Sequence, residues 1–191
     1  DFESFEKQIV AENVRVLILC NPQNPTGRVF TREELTRLAE ICLRHKVIIC
    51  SDEIHCDITF DGRKHIPIAS LDPEVADNTL TLLAPSKTYN IAGLYASVAV
   101  ISNPELARRY RDFKNGLTSG PDLLALTAAR AAYLHGDAWL KEMLAYLQAN
   151  RDWLAEVITA EFDGVTMHKP EGTFLAWLDC QKLNLQPDPQ K

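Results

Sequence analysis

The chain has 191 residues, 20 Lys and Arg against 26 Asp and Glu, and a formal net charge of -6. That length suits one ordinary domain, or one domain and part of another, and 46% hydrophobic with 24% charged residues is the balance of a chain that builds a core. The mild acidity excludes the basic footprint of a nucleic-acid binder, and no apolar run reaches the ~18 residues of a membrane span.

The acidic start, Asp1-Phe2-Glu3-Ser4-Phe5-Glu6, lacks the basic-then-apolar pattern of a signal peptide, so a cytoplasmic location is expected. A first strand is predicted over 14–20, where β-rich residues run up to Asn21-Pro22. The turn-rich segment Asn21-Pro22-Gln23-Asn24-Pro25-Thr26-Gly27 follows. Thr31-Arg32-Glu33-Glu34 reads as a capping box that opens an amphipathic helix with Leu35, Leu38, Ala39, Ile41 and Cys42 on one face, ending near His45-Lys46. The short apolar run 47–50 suits a strand of a sheet covered on both faces.

Further strands are predicted over 79–84 and 96–101, and Asn103-Pro104-Glu105 opens a helix with Pro in its first turn. From Pro121 the chain reads as helical to Gly164, with Gly136-Asp137 dividing two helices. Segments 165–168 and 173–178 look like strands joined by the turn Pro170-Glu171-Gly172, and the tail Gln186-Pro187-Asp188-Pro189 looks like loop. Strands alternating with helices indicate an α/β fold with a mostly parallel sheet.

In such sheets, ligand-binding residues lie in loops beyond the carboxyl ends of strands. The loop after Cys20 offers Asn24, the loop after Cys50 offers Asp52, Glu53 and His55, and the loop after Ala84 offers Ser86 and Lys87. Singly, Asn24 could shape a turn, Asp52 could cap a helix and Lys87 could be a solvated surface lysine. An amide, a carboxylate and a lysine, each just past a hydrophobic strand, make a candidate constellation.

Asn21-Pro22-Gln23-Asn24-Pro25-Thr26-Gly27, Ser51-Asp52-Glu53-Ile54-His55 and Ser86-Lys87-Thr88-Tyr89-Asn90-Ile91-Ala92-Gly93-Leu94 resemble three motifs of the fold-type I, pyridoxal-phosphate-dependent aminotransferase class I and II family. Cys20-Asn21-Pro22, Gly27-Arg28-Val29-Phe30, His55, and His65-Ile66-Pro67 look most like its cystathionine β-lyase subgroup, the MalY/PatB-type carbon–sulfur lyases. The stretch from Pro170-Glu171-Gly172-Thr173-Phe174 to Asp179 carries the resemblance into the family's smaller domain.

The resemblance implies a three-layer large domain over 1–150, and over 151–191 a linking helix and the start of a smaller α+β domain. It implies pyridoxal 5'-phosphate as cofactor, no metal, an amino-acid substrate and a homodimer. Lys87 would bond the cofactor aldehyde and, once freed, abstract the substrate α-proton, because that chemistry needs a primary amine. Asp52 would keep the pyridine nitrogen protonated. Asn24 would hydrogen-bond the phenolic oxygen, His55 would contact that oxygen or line the site, and Ser86 would help hold the phosphate.

Tyr95 stands where many aminotransferases carry a phosphate-binding arginine, eight positions after the lysine, a departure shared with the lyase subgroup. The implied reaction cleaves cystathionine or cysteine S-conjugates to a thiol, pyruvate and ammonia. The alternatives are an aminotransferase using the same residues, or a non-catalytic regulatory protein that keeps the fold. The resemblance also reads the chain as an internal piece, lacking several site residues and inactive alone.

Other residues take plainer readings. The cysteines Cys20, Cys42, Cys50, Cys56 and Cys180 contain no CxxC pair and read as reduced, small hydrophobes. His65 and His168 read as surface or strand-end residues, His45 as a partner of a helix end, Glu53 as structural, and Trp139, Trp153 and Trp177 as core.

Overall fold

The computed structural model describes residues 1–183, so the tail read as loop around Pro187 lies outside the described residues. The acidic start, for which the sequence suggests no element, is a helix, α1 (Phe2–Ala11), whose N-cap Asp1 accepts from the N–H groups of Glu3 and Ser4. Strand β1 (Val16–Cys20) leads to α2 (Arg32–Arg44). The capping box at its start is formed as expected: Thr31 accepts from the Glu34 N–H and the Glu34 carboxylate accepts from the Thr31 N–H.

Strand β2 (Ile48–Asp52) pairs parallel with β1, and β3 (Thr79–Leu83) pairs parallel with β2. A short helix α3 (Pro73–Asp77), capped by Asp72, precedes β3, and a single-turn helix α4 (Pro85–Thr88) follows it. Strand β4 (Val98–Ile101) closes the sheet antiparallel to β3, giving the order β1-β2-β3-β4. The architecture is α/β with a mostly parallel sheet, as the alternation of elements indicates.

One sheet face carries the core. Leu35, Leu38, Ala39, Ile41 and Cys42 of α2 pack with Leu19 of β1, Ile49 of β2, Ile9 of α1, Ile68 and Val75. Period-2 alternation sends the intervening side chains to the other face. There Val16 and Ile18 of β1 stand 50% and 76% exposed, while Val98 and Val100 of β4, opposite Leu83 and Thr81 on the core-bearing face, are exposed at the sheet edge.

Helix α5 (Pro104–Lys114) is capped by Asn103, and α6 (Leu123–His135) is divided from α7 (Asp137–Glu161) at Gly136, where the sequence places the break. Helix α7 runs without interruption through position 150, the expected domain boundary. No helix among the described residues is long and apolar enough to cross a membrane.

Two predicted strands shrink: β5 (Thr166–Met167) and β6 (Leu178–Asp179) pair over two residues each. Residues 173–177 are not strand, because Thr173 takes φ 66°, outside the β region, and is buried by a bond from its N–H to the Ile58 carbonyl. The tryptophans also depart from the reading as core. Trp139, Trp153 and Trp177 are 45%, 62% and 55% exposed; the first two lie on α7, which buries few residues, chiefly Arg151 and Ile158, and Trp177 precedes β6. His65 departs as well: its ring is almost wholly buried and pairs with Glu53, so it is no surface residue.

Candidate active site

The parallel register sets the site. Cys20 at the end of β1 lies opposite Asp52 at the end of β2, and Asp52 lies opposite Leu82 of β3. The same row therefore launches the loop with Asn24, carries Asp52 itself, and launches the turn with Ser86 and Lys87. Two backbone bonds extend the row past the strands: the Asn21 N–H donates to the Asp52 carbonyl at 3.0 Å, and the Glu53 N–H to the Leu82 carbonyl at 3.0 Å. Asn24, Asp52, His55, Ser86 and Lys87 all lie at this one end of the sheet.

The Asn24 loop is shaped by its neighbours. The Asn24 N–H donates to Cys20 Sγ at 3.5 Å, and Gln23 accepts from both the N–H and the hydroxyl of Thr26. The Asn21 side chain, buried, accepts from the Phe30 N–H at 3.1 Å. The Asn24 side chain is left exposed, with no hydrogen bond to the described residues.

Asp52 lies on the face opposite Ile49 and Ser51, because alternate residues of a strand face opposite ways. Its carboxylate accepts one bond, from the Ile54 N–H at 3.2 Å, which is a local turn and not the helix cap that a lone Asp would suggest. It opens on a cleft of about 310 Å³ lined by Ile54, Leu82, Ala84, Ser97 and Tyr110. Lys87 sits half-buried on α4, with no ion pair among the described residues. Thr88 beside it is fully buried and donates to Asp57 at 2.9 Å, which ties α4 to the segment following β2.

His55 is 2% exposed, and its Nδ1 is buried with no hydrogen-bond partner among the described residues. Burial lowers its pKa, and the Lys87 ammonium lowers it further against an opposing effect of Asp52. His55 thus feels both charged groups of the site and is held neutral near pH 7. Phe174 packs on it edge-on with ring centroids 5.4 Å apart, bringing the segment after Pro170 to the site.

A buried cluster lies behind Asp52. Glu53, 1% exposed in its side chain, accepts from Ser51 Oγ at 2.9 Å and from the Ile68 N–H at 3.3 Å, and pairs with His65 Nε2 at 2.7 Å. A second buried group, Arg151 of α7, donates twice to Asp61 at 2.8 Å and once to the Pro170 carbonyl at 3.0 Å, with its guanidinium 4.8 Å over the Phe60 ring. Sequence reasoning misses both. The motif His65-Ile66-Pro67 is the available signal for the first; nothing local marks the second, whose partners are 90 positions apart.

The family model for aminotransferase class I and II matches residues 1–187. The chain belongs to the aminotransferase class I and II family. Within that family it is 43% identical to the cystathionine beta-lyase PatB of Bacillus subtilis (strain 168), covering 97% of this chain and 48% of PatB. It is 32% identical to the aspartate aminotransferase of Geobacillus stearothermophilus, over 88% of this chain and 42% of that enzyme. The crystal structure of cystalysin from Treponema denticola, which contains a pyridoxal 5'-phosphate cofactor, superposes with a TM-score of 0.92 at 33% identity, over 97% of this chain and 47% of cystalysin. The chain thus spans about half the length of the relatives it matches.

The residues present in this aminotransferase-family chain fit the cofactor that cystalysin contains. Among the described residues, a buried imidazole nitrogen without a partner, an uncommitted amide, a lysine amine in no ion pair and a carboxylate with one local bond lie at the same strand ends.

Proposed function

We propose that this chain contributes the cofactor-holding residues of a pyridoxal-phosphate-dependent carbon–sulfur β-lyase acting on cystathionine or cysteine S-conjugates. The observation that carries the reading is the common row of Cys20, Asp52 and Leu82, which delivers Asn24, Asp52 and Lys87 to one place. The name of PatB, a cystathionine beta-lyase, points the same way. Residues 1–150 are read as the cofactor-binding domain and 151–191 as the opening of a smaller one, in a homodimer.

When bound, the cofactor supplies an electron sink for the substrate carbon that loses its proton. Lys87 supplies the amine that tethers the cofactor and then the base that takes the α-proton. Asp52 holds a proton at the pyridine nitrogen, since an opposite charge favours the protonated ring. Asn24 would hold the phenolic oxygen with its side-chain N–H, neutral His55 would line the site, and the Ser86 hydroxyl would help hold the phosphate. The electron pair left on the α-carbon would form a bond to the β-carbon as the carbon–sulfur pair passes to sulfur, which would take back the proton from Lys87 and leave as the thiol, and water would convert the remainder to pyruvate and ammonia.

The test is turnover by the whole protein with cofactor. Cystathionine is expected to yield a thiol and pyruvate together, and Lys87→Ala to abolish both along with the visible absorbance of bound cofactor. Cofactor bound without either product overturns the lyase reading. The second reading, an aminotransferase, is favoured by the likeness to the aspartate aminotransferase. It is distinguished by conversion of the cofactor to its amine form and by dependence on a keto acid.

A further inference from the structure

We propose that Glu53 and His65 form a positioning pair that aims Asp52 and His55 at the cofactor. The inference rests on the reading of Asp52 and His55 given above and deepens it. Strand alternation places Asp52 on one face of the sheet and its neighbours Ser51 and Glu53 toward the other, the face that carries the core. Among the described residues Asp52 has one side-chain bond, from Ile54 at 3.2 Å, so its direction is set by the backbone on either side of it.

Glu53 fixes that backbone. One carboxylate oxygen accepts from Ser51 Oγ, just before Asp52, at 2.9 Å and from the Ile68 N–H at 3.3 Å. The other meets His65 Nε2 at 2.7 Å. A carboxylate 1% exposed in its side chain is expensive to bury unless every oxygen is engaged, and here both are. The carboxylate accepts, so Nε2 carries the proton, and Nδ1 is left buried and without a partner among the described residues. The imidazole is thus bound on one edge only, a bond that gives direction to the loop and to the strand end together. Two residues beyond Glu53, His55 begins the turn whose carbonyl accepts from Ile58 at 2.9 Å, so the same anchor governs both residues that face the cofactor.

The test uses the whole protein with cofactor bound and compares Glu53→Gln, His65→Leu and His65→Gln. His65→Gln keeps an N–H donor toward Glu53 and is expected to stay within about twofold of the parent. Glu53→Gln and His65→Leu are expected to shift the pH midpoint of the bound cofactor's visible spectrum and to lower kcat about tenfold with little change in KM, the scale seen when partners behind a reacting group are removed. A filler of the core would lower the melting temperature and leave the spectral midpoint in place. A folded Glu53→Gln or His65→Leu protein with the parent's midpoint and kcat overturns the positioning role alone. If one variant fails to fold, the midpoint of the other decides by the same criterion. A parent protein that binds no cofactor overturns the reading of the site, and this inference with it.

Discussion

Gly27 and Pro170 touch so closely that a Cβ on the glycine would lie 2.2 Å from the proline Cβ, and Gly27 holds φ 71°, where side chains are strained. The Gly27 carbonyl accepts from the N–H groups of both Glu171 and Gly172, so the loop with Asn24 and the turn after β5 are one packed unit. Gly27→Ala is therefore expected to lower stability by at least ~3 kcal/mol, combining backbone strain with overpacking. Gly62 provides the control: it has φ 70° and no atom of the described residues within 4 Å of the place a Cβ would take, so Gly62→Ala carries only the strain, roughly 1–2 kcal/mol. Urea denaturation of both variants measures the difference, and equal losses would refute the contact.

Arg151 joins α7 to the same unit. Removing it leaves Asp61 with water available, since that carboxylate is 48% exposed, so the loss is the bonds and the ring contact rather than an orphaned buried charge. Arg151→Met is expected to lower stability by about 2 kcal/mol. Arg151→Lys is expected to recover less than half, because a single ammonium cannot reproduce the paired bonds to Asp61. Chemical denaturation of the two variants checks the order.

His55 gives the fold a pH dependence of definite sign. Its pKa is lowered in the folded protein, first by burial and then by Lys87, so the unfolded chain binds the proton more readily. Stability is then full above the unfolded value of ~6.5 and falls as pH drops from there toward the lowered folded value. Replacing His55 by Gln is expected to flatten stability over that acidic interval. Urea midpoints measured above and below ~6.5 test it, and an unchanged slope would contradict it.

Cys42 and Cys56 are expected to resist thiol reagents in the folded protein. Burial pushes the Cys42 thiol up to about 11, and burial together with Asp57 and Glu53 pushes Cys56 up to about 12. Thiolate is the reactive form, so both stay silent at mildly alkaline pH. Labelling followed by mass spectrometry, with and without denaturant, reads this directly, and labelling of either in the folded protein would contradict it.

Much of this arrangement is legible in the sequence where the cause is local. The capping box at Thr31 and Glu34 is a contact over three residues, and the break at Gly136 is a property of one residue. The positions of Asn24, Asp52 and Lys87 are legible because each comes at or just past the end of an apolar strand, although Asp52 closes β2 and Lys87 lies on α4 where the sequence suggests loops. What escapes depends on distant partners. His65 reads as a surface histidine until Glu53, twelve positions away, comes to meet it. Thr173 reads as strand until its N–H is claimed by Ile58, and Trp139 and Trp153 read as core although α7 leaves them exposed.

The row shared by Cys20, Asp52 and Leu82 has a consequence for how such a chain tolerates change in length. Adding one residue inside β1, β2 or β3 would advance a single chemical group by ~3.3 Å and turn it to the opposite face, separating it from the other two. Adding residues between the strands, as in the stretch from α2 back to β2, leaves the row intact. Insertions and deletions should therefore accumulate in the connections at the amino ends of the strands, while the three strand lengths hold constant together.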